Sequence, residues 1–228
     1  MRRAFASLLT AIAVLAATLA AAANALDPLA QLRPIGLRVS EGDSWHADND
    51  FRLDWERPPV AEQGFAVTAI DYRVRDASGA TVVPEIRLPW DATVIEHIHV
   101  PPRPAAYTAD VRLEGPEGGH GPWESAALRF DDVRPGAARP LAPDGWIAGN
   151  AVAVVKIEHP AGPLPVSGIR GYAVSVDRGT ENPPCADLSR CKPVETDLSG
   201  GIDEDSILLG SLPEGANVVR AVAVSGSG

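Results

Sequence analysis

Phe51-Arg52-Leu53-Asp54-Trp55-Glu56-Arg57-Pro58 places an apolar side chain at every second position, fills the gaps with charge, and ends on a proline. Successive side chains of an extended chain point to opposite faces, so the pattern predicts a strand with one buried face. It stops where Pro58 has no N–H to give to a ladder. Ile70, Tyr72 and Val74 alternate in the same way with Asp71, Arg73 and Arg75. Thr81 to Val83, Thr93 to Val100, Tyr107 to Leu113 and Trp123 to Phe130 are further short runs bounded by Gly, Pro or Asp. Sustained helical periodicity is absent after the first 25 residues. About seven short strands in about 100 residues predict an antiparallel β-sandwich.

The landmarks of residues 43–117 return in residues 144–228. Asp43-Ser44-Trp45 and Asn49 recur as Asp144-Gly145-Trp146 and Asn150, and Trp55-Glu56-Arg57-Pro58 recurs as Ile157-Glu158-His159-Pro160. Tyr72 is matched by Tyr172, and Val111 and Leu113 fall opposite Val222 and Val224, an offset of 111. The offset changes only between anchors, as it does when surface loops absorb insertions. The recurrence of Trp45 as Trp146 predicts a packing role for both. Two sandwiches are therefore expected, at 34–133 and 141–228, joined by a linker at 134–140 that its two prolines stiffen to hold the modules apart. Gly228 falls opposite Glu117, so the second copy is expected to lack a counterpart of the Trp123 to Phe130 strand and the chain to be the N-terminal part of a longer repeat array. Second-copy strands are expected at Ala151 to Glu158, Arg170 to Asp177, Ser206 to Leu209 and Asn217 to Ser225.

Phe51-x-Leu53-x-Trp55, Tyr72-x-Val74 and the Pro-rich turn into Tyr107-x-x-x-Val111-x-Leu113 resemble fibronectin type III modules, or their Ig-like relatives in bacterial secreted and surface proteins. The resemblance implies that Trp55 packs at the core centre and that Tyr107 forms a tyrosine corner by bonding back to upstream backbone. Tyr72 and Tyr172 are matched structural positions. The second copy departs from the pattern, with Ile157 in the Trp place and Val218 in the corner place.

Arg2 and Arg3, an uncharged run from Ala4 to Ala23, and Ala23-Asn24-Ala25 predict a signal peptide over 1–25 and a secreted or cell-envelope location. Cleavage there removes two basic residues and no acidic one, taking the net charge from −10 to −12. With lysine only at 156 and 192 and no basic cluster, nucleic acid is excluded as a partner class, and no second apolar span predicts membrane insertion. Cys185 and Cys191 are expected to close one short disulfide loop, contributing about 2 kcal/mol and holding the loop's shape rather than the fold.

No catalytic residue set is expected, and no cofactor. His97 and His99, two apart on one strand, and Asp203 and Asp205 have metal-ligand chemistry, but neither pair has the companion ligands a site needs. The acidic run 203–205 reads as a solvated loop. Trp90, in a Pro-flanked turn without a counterpart in the second copy, is the candidate binding residue, suited to a sugar ring or a protein surface. The expected function is non-catalytic, that of spacer or interaction modules with a protein or glycan partner. The alternative is a carbohydrate-binding module accessory to a secreted enzyme.

Overall fold

The computed structural model describes residues 32–59, 66–143, 145–148, 151–177, 194–195, 204–210, 212 and 214–228. The strands are β1 (Ile35–Val39), β2 (Phe51–Glu56), β3 (Ala69–Arg75), β4 (Thr81–Leu88), β5 (Val94–Ile98), β6 (Ala105–Glu114), β7 (Glu124–Phe130), β8 (Arg139–Leu141), β9 (Ala153–Glu158), β10 (Ile169–Asp177), β11 (Val194–Glu195), β12 (Glu204–Leu209) and β13 (Val218–Ser225). The fold is all-β, every pairing between named strands is antiparallel, and the strands form four sheets.

The first two sheets have the orders β1-β2-β5 and β4-β3-β6-β7. They enclose one core, to which β2 gives Phe51, Leu53 and Trp55, β3 gives Ile70 and Val74, β6 gives Tyr107, Val111 and Leu113, and β7 gives Leu128 and Phe130. The alternation read in Phe51–Trp55 is the burial pattern of β2, whose arginine and aspartate face outward. Tyr107 Oη donates to Arg103 O at 2.8 Å, bracing the turn that precedes β6. The β3–β4 hairpin closes at Gly79, which adopts φ +86°, a conformation costly for a residue with a Cβ. Its turn is held by Asp76, whose Oδ1 accepts the N–H groups of Ser78 and Ala80.

The other two sheets repeat these orders: β8-β9-β12 corresponds to β1-β2-β5, and β11-β10-β13 to β4-β3-β6. Val155, Ile157, Tyr172, Ile207 and Ala223 form a separate, smaller core. Register corrects the sequence alignment by one residue. Tyr72 pairs with Val111, and Tyr172 with Ala223, so Ala223 rather than Val222 stands opposite Val111. A slip of one reverses the face of every side chain in a strand. By the same register Val219, not Val218, occupies the place of Tyr107.

Other differences concern boundaries. The expected linker 134–140 runs into β8, which pairs with β9. It also does not hold its flanks apart, because buried Asp131, just after β7, accepts the N–H of Ser167 at 2.7 Å and that of Val133 at 3.1 Å. Glu204 and Asp205, expected in a loop, begin β12. The signal segment, Cys185, Cys191 and Asp203 lie outside the described residues.

Trp55 is 4% exposed and its indole N–H has no acceptor among the described residues. Trp55→Ala should therefore cost about 3–5 kcal/mol in urea unfolding, whereas Trp55→Phe, which deletes an unpaired buried donor, should stay within about 1.5 kcal/mol of the parent. Equal losses for the two would show that the ring's fit, and not its bulk, is what the core requires.

Candidate functional site

The exposed face of the four-stranded sheet carries a charged row set by register. Arg73, Asp110 and Ser125 are direct cross-strand partners on β3, β6 and β7. Asp110 is fully buried, and its carboxylate accepts from Arg73 at 2.9 Å, from Arg75 at 2.5 and 2.8 Å, and from Ser125 at 2.8 Å. Burial pushes the Asp110 carboxyl up, but the bonds from Arg75, Ser125 and Arg73 outweigh it, and the net pKa is lowered. The guanidinium groups of Arg73 and Arg112 each lie 4.3 Å from the Trp123 ring centre, a cation–π clasp over β3 and β6. Asp71, Glu114 and His120 bring ligand-type atoms within 4.8 Å of one another. Arg112 and Arg87 pair with those carboxylates, so the cluster ties strands together through its own counter-ions. Sequence reading missed this row because an aspartate inside an apolar run gains meaning only once its cross-strand neighbours are known.

His97 and His99 do not share a regular strand face. The β2–β5 register slips between Phe51 and Leu53, and His97, in the bulge, has φ +59°, a strained conformation for a residue with a Cβ. His97 Nδ1 pairs with Asp50 at 3.0 Å, while His99 Nδ1 bonds Asn49 O. The Asp50 hydrogen bond and charge raise the His97 pKa. The pair's stabilisation is therefore complete below the ordinary histidine range and is lost as pH rises through the raised value. Trp90 is 55% exposed, with Arg57 5.1 Å from its ring centre and a shallow cleft beside it formed with Ala66, Val67 and Thr68.

The second group of sheets holds a cavity of about 700 Å³. Its lining includes Ala153, Val155 and Val219, which stand where the first core has Phe51, Leu53 and Tyr107. Trp146, at its rim, is 90% exposed, which overturns the packing role expected from its match to Trp45. In the first group that segment is fastened by β7: His46 N–H donates to Arg129 O, and Asp131 N–H to His46 O, both at 2.9 Å. Among the described residues no strand stands in the place of β7 beside β13, so the Trp146 segment has no such partner strand.

No protein-family model and no curated protein sequence matches the chain. Among solved structures, the chain is similar to the chicken CNTN1 FN1-FN3 domains at 8% identity and a TM-score of 0.37, over 87% of this chain and 61% of that one. It is similar to an alpha-L-rhamnosidase from Dictyoglumus thermophilum at 12% identity and a TM-score of 0.37, over 57% of this chain and 17% of that one. Among the described residues no helix is long and apolar enough to cross a membrane.

A lowered carboxylate pKa contributes stability that is present above the unfolded value and lost as pH falls through the folded one. Asp110→Asn should thus lose roughly 1.5–3 kcal/mol at neutral pH, with the deficit shrinking once the parent's carboxylate is protonated. Denaturation at neutral pH and at about pH 2 checks this; a deficit unchanged by acid would show that packing, not the ion pairs, sets the cost.

Proposed function

We propose that the chain is a non-catalytic pair of fibronectin type III-like or Ig-like modules, exported to the cell envelope or beyond. There it provides length and a contact surface for a protein partner. The repeated strand order supports the two-module reading, and the Arg-led, alanine-rich start supports export. One observation carries the interaction role. Among the described residues, nine of the twelve large apolar side chains that are exposed belong to the second group of sheets. Val154 and Leu208 are cross-strand partners on β9 and β12, 46% and 68% exposed, and Val152 next to them is 56% exposed. A concentration of apolar surface on one module, facing water, marks a contact surface. The first module, with its charged row and larger core, is the spacer.

A second reading, glycan binding, has one observation in its favour: exposed Trp90 beside its cleft.

An apolar fluorescent dye should bind the purified chain through the second module. Val154→Lys with Leu208→Lys should cut its signal by at least about half while changing stability by no more than about 0.5 kcal/mol each. A dye signal unaffected by the pair would sink the interaction reading. Sugar-dependent quenching of tryptophan fluorescence that disappears in Trp90→Ala would instead establish the glycan reading.

A further inference from the structure

Asp131 directly follows β7 and is fully buried. Its backbone belongs to the first sandwich: its N–H donates to His46 O at 2.9 Å, and His46 N–H donates in turn to Arg129 O of β7 at 2.9 Å. Its side chain reaches the second. Oδ2 accepts the N–H of Ser167, in the loop between β9 and β10, at 2.7 Å, and Oδ1 accepts that of Val133 at 3.1 Å. The Ser167 loop is held from behind as well. Gly226, just after β13, donates its N–H to Gly168 O at 3.0 Å, and a Cβ on Gly226 would lie 2.3 Å from Ser167 O. The linker runs equally close to this loop, because a Cβ on Gly136 would lie 2.5 Å from Ala161 O. Both are backbone approaches that only glycine permits. From there the chain passes into β8, which pairs with β9.

Modules on one chain reorient freely unless a contact between them resists it. A hinge motion at this joint separates the Asp131 carboxylate from Ser167 and lifts Gly136 from Ala161. Hydrogen bonds from backbone N–H groups to a carboxylate are roughly twice as strong as those between neutral groups, and a buried carboxylate that loses its donors is costly. We propose that Asp131 is a clamp that fixes the two sandwiches as one rigid body. The exposed apolar side chains of the second, Val154 and Leu208 among them, are then presented at a single orientation to the first. The clamp works through the Ser167 backbone and not through its hydroxyl, which is buried and has no hydrogen-bond partner among the described residues. Rigid coupling of this kind rests on the two-module reading, goes beyond the contact role, and holds whether or not the second module binds a partner.

The test is a set of backbone residual dipolar couplings from the full chain, weakly aligned in solution. In the unmutated chain the couplings of β2, β3, β6 and β7 and those of β9, β10 and β13 should fit one shared alignment tensor. Asp131→Ala should divide them into two tensors whose magnitudes differ by at least about twofold. Ser167→Ala, which leaves the backbone N–H in place, should keep one. If Asp131→Ala loses the couplings of β6 and β7 through unfolding, the decision passes to Asp131→Asn, which keeps the shape but turns an N–H toward one of the two donors and should divide the tensors likewise. Two tensors in the unmutated chain overturn the proposal, and so does a single tensor in the Asp131 variant that decides. A division as large in Ser167→Ala also overturns it, because the hydroxyl would then be what holds the joint. Couplings within one sandwich that do not fit a tensor of their own contradict the two-module reading on which the clamp rests. None of these outcomes touches the dye result at Val154 and Leu208, which tests the interaction reading by itself.

Discussion

The pairing of β7 with β6 is the constraint on which the first sandwich depends. Backbone groups on an interior strand must be bonded on both sides, and β7 meets that need for β6 while delivering Leu128 and Phe130 to the core. It also fastens the chain before β2, because His46 bonds to the backbone on either side of Phe130. The edge-on contact of His46 with Phe51, ring centres 5.6 Å apart, follows from that anchoring. The buried Asp110 depends on it too, since Ser125 of β7 supplies one of its hydrogen bonds.

The second group of sheets shows the same plan, and among the described residues no strand takes the place of β7. Ala153, Val155, Ile157 and Val219 replace Phe51, Leu53, Trp55 and Tyr107, so each position contributes less bulk to its core. Val222 stands in the register place of Asp110 and is 40% exposed, where the aspartate is fully buried in its ion pairs. The second group of sheets thus has a smaller core and more exposed apolar side chains, and among the described residues β13 has a partner strand on one edge only.

Much of this was legible in the sequence where local pattern suffices. The strict alternation of Phe51 to Trp55 names its buried face, and the Tyr72 and Tyr172 anchors identify corresponding strands. What failed was what neighbours decide. In Val218-Val219-Arg220-Ala221-Val222-Ala223-Val224 valine occurs on both faces, so composition cannot fix register, and the alignment slipped by one. The short β1 and β8 carry too few alternations to be read as strands. Trp146 matches Trp45 in type and spacing, yet it is 90% exposed where Trp45 is half-buried, a difference that local spacing does not carry. The bulge at His97 likewise escapes the two-residue spacing, which presumes an unbroken strand.

Among the described residues β6 is paired with a strand along both edges, whereas β13 is paired along one. Along an antiparallel edge strand, alternate N–H groups point away from the sheet. Residue-resolved hydrogen exchange on the free chain measures this directly. Protection is expected throughout the interior of β6, and along Val218 to Ser225 an alternation of slow and fast amides. Uniform protection across β13, matching that of β6, would contradict it.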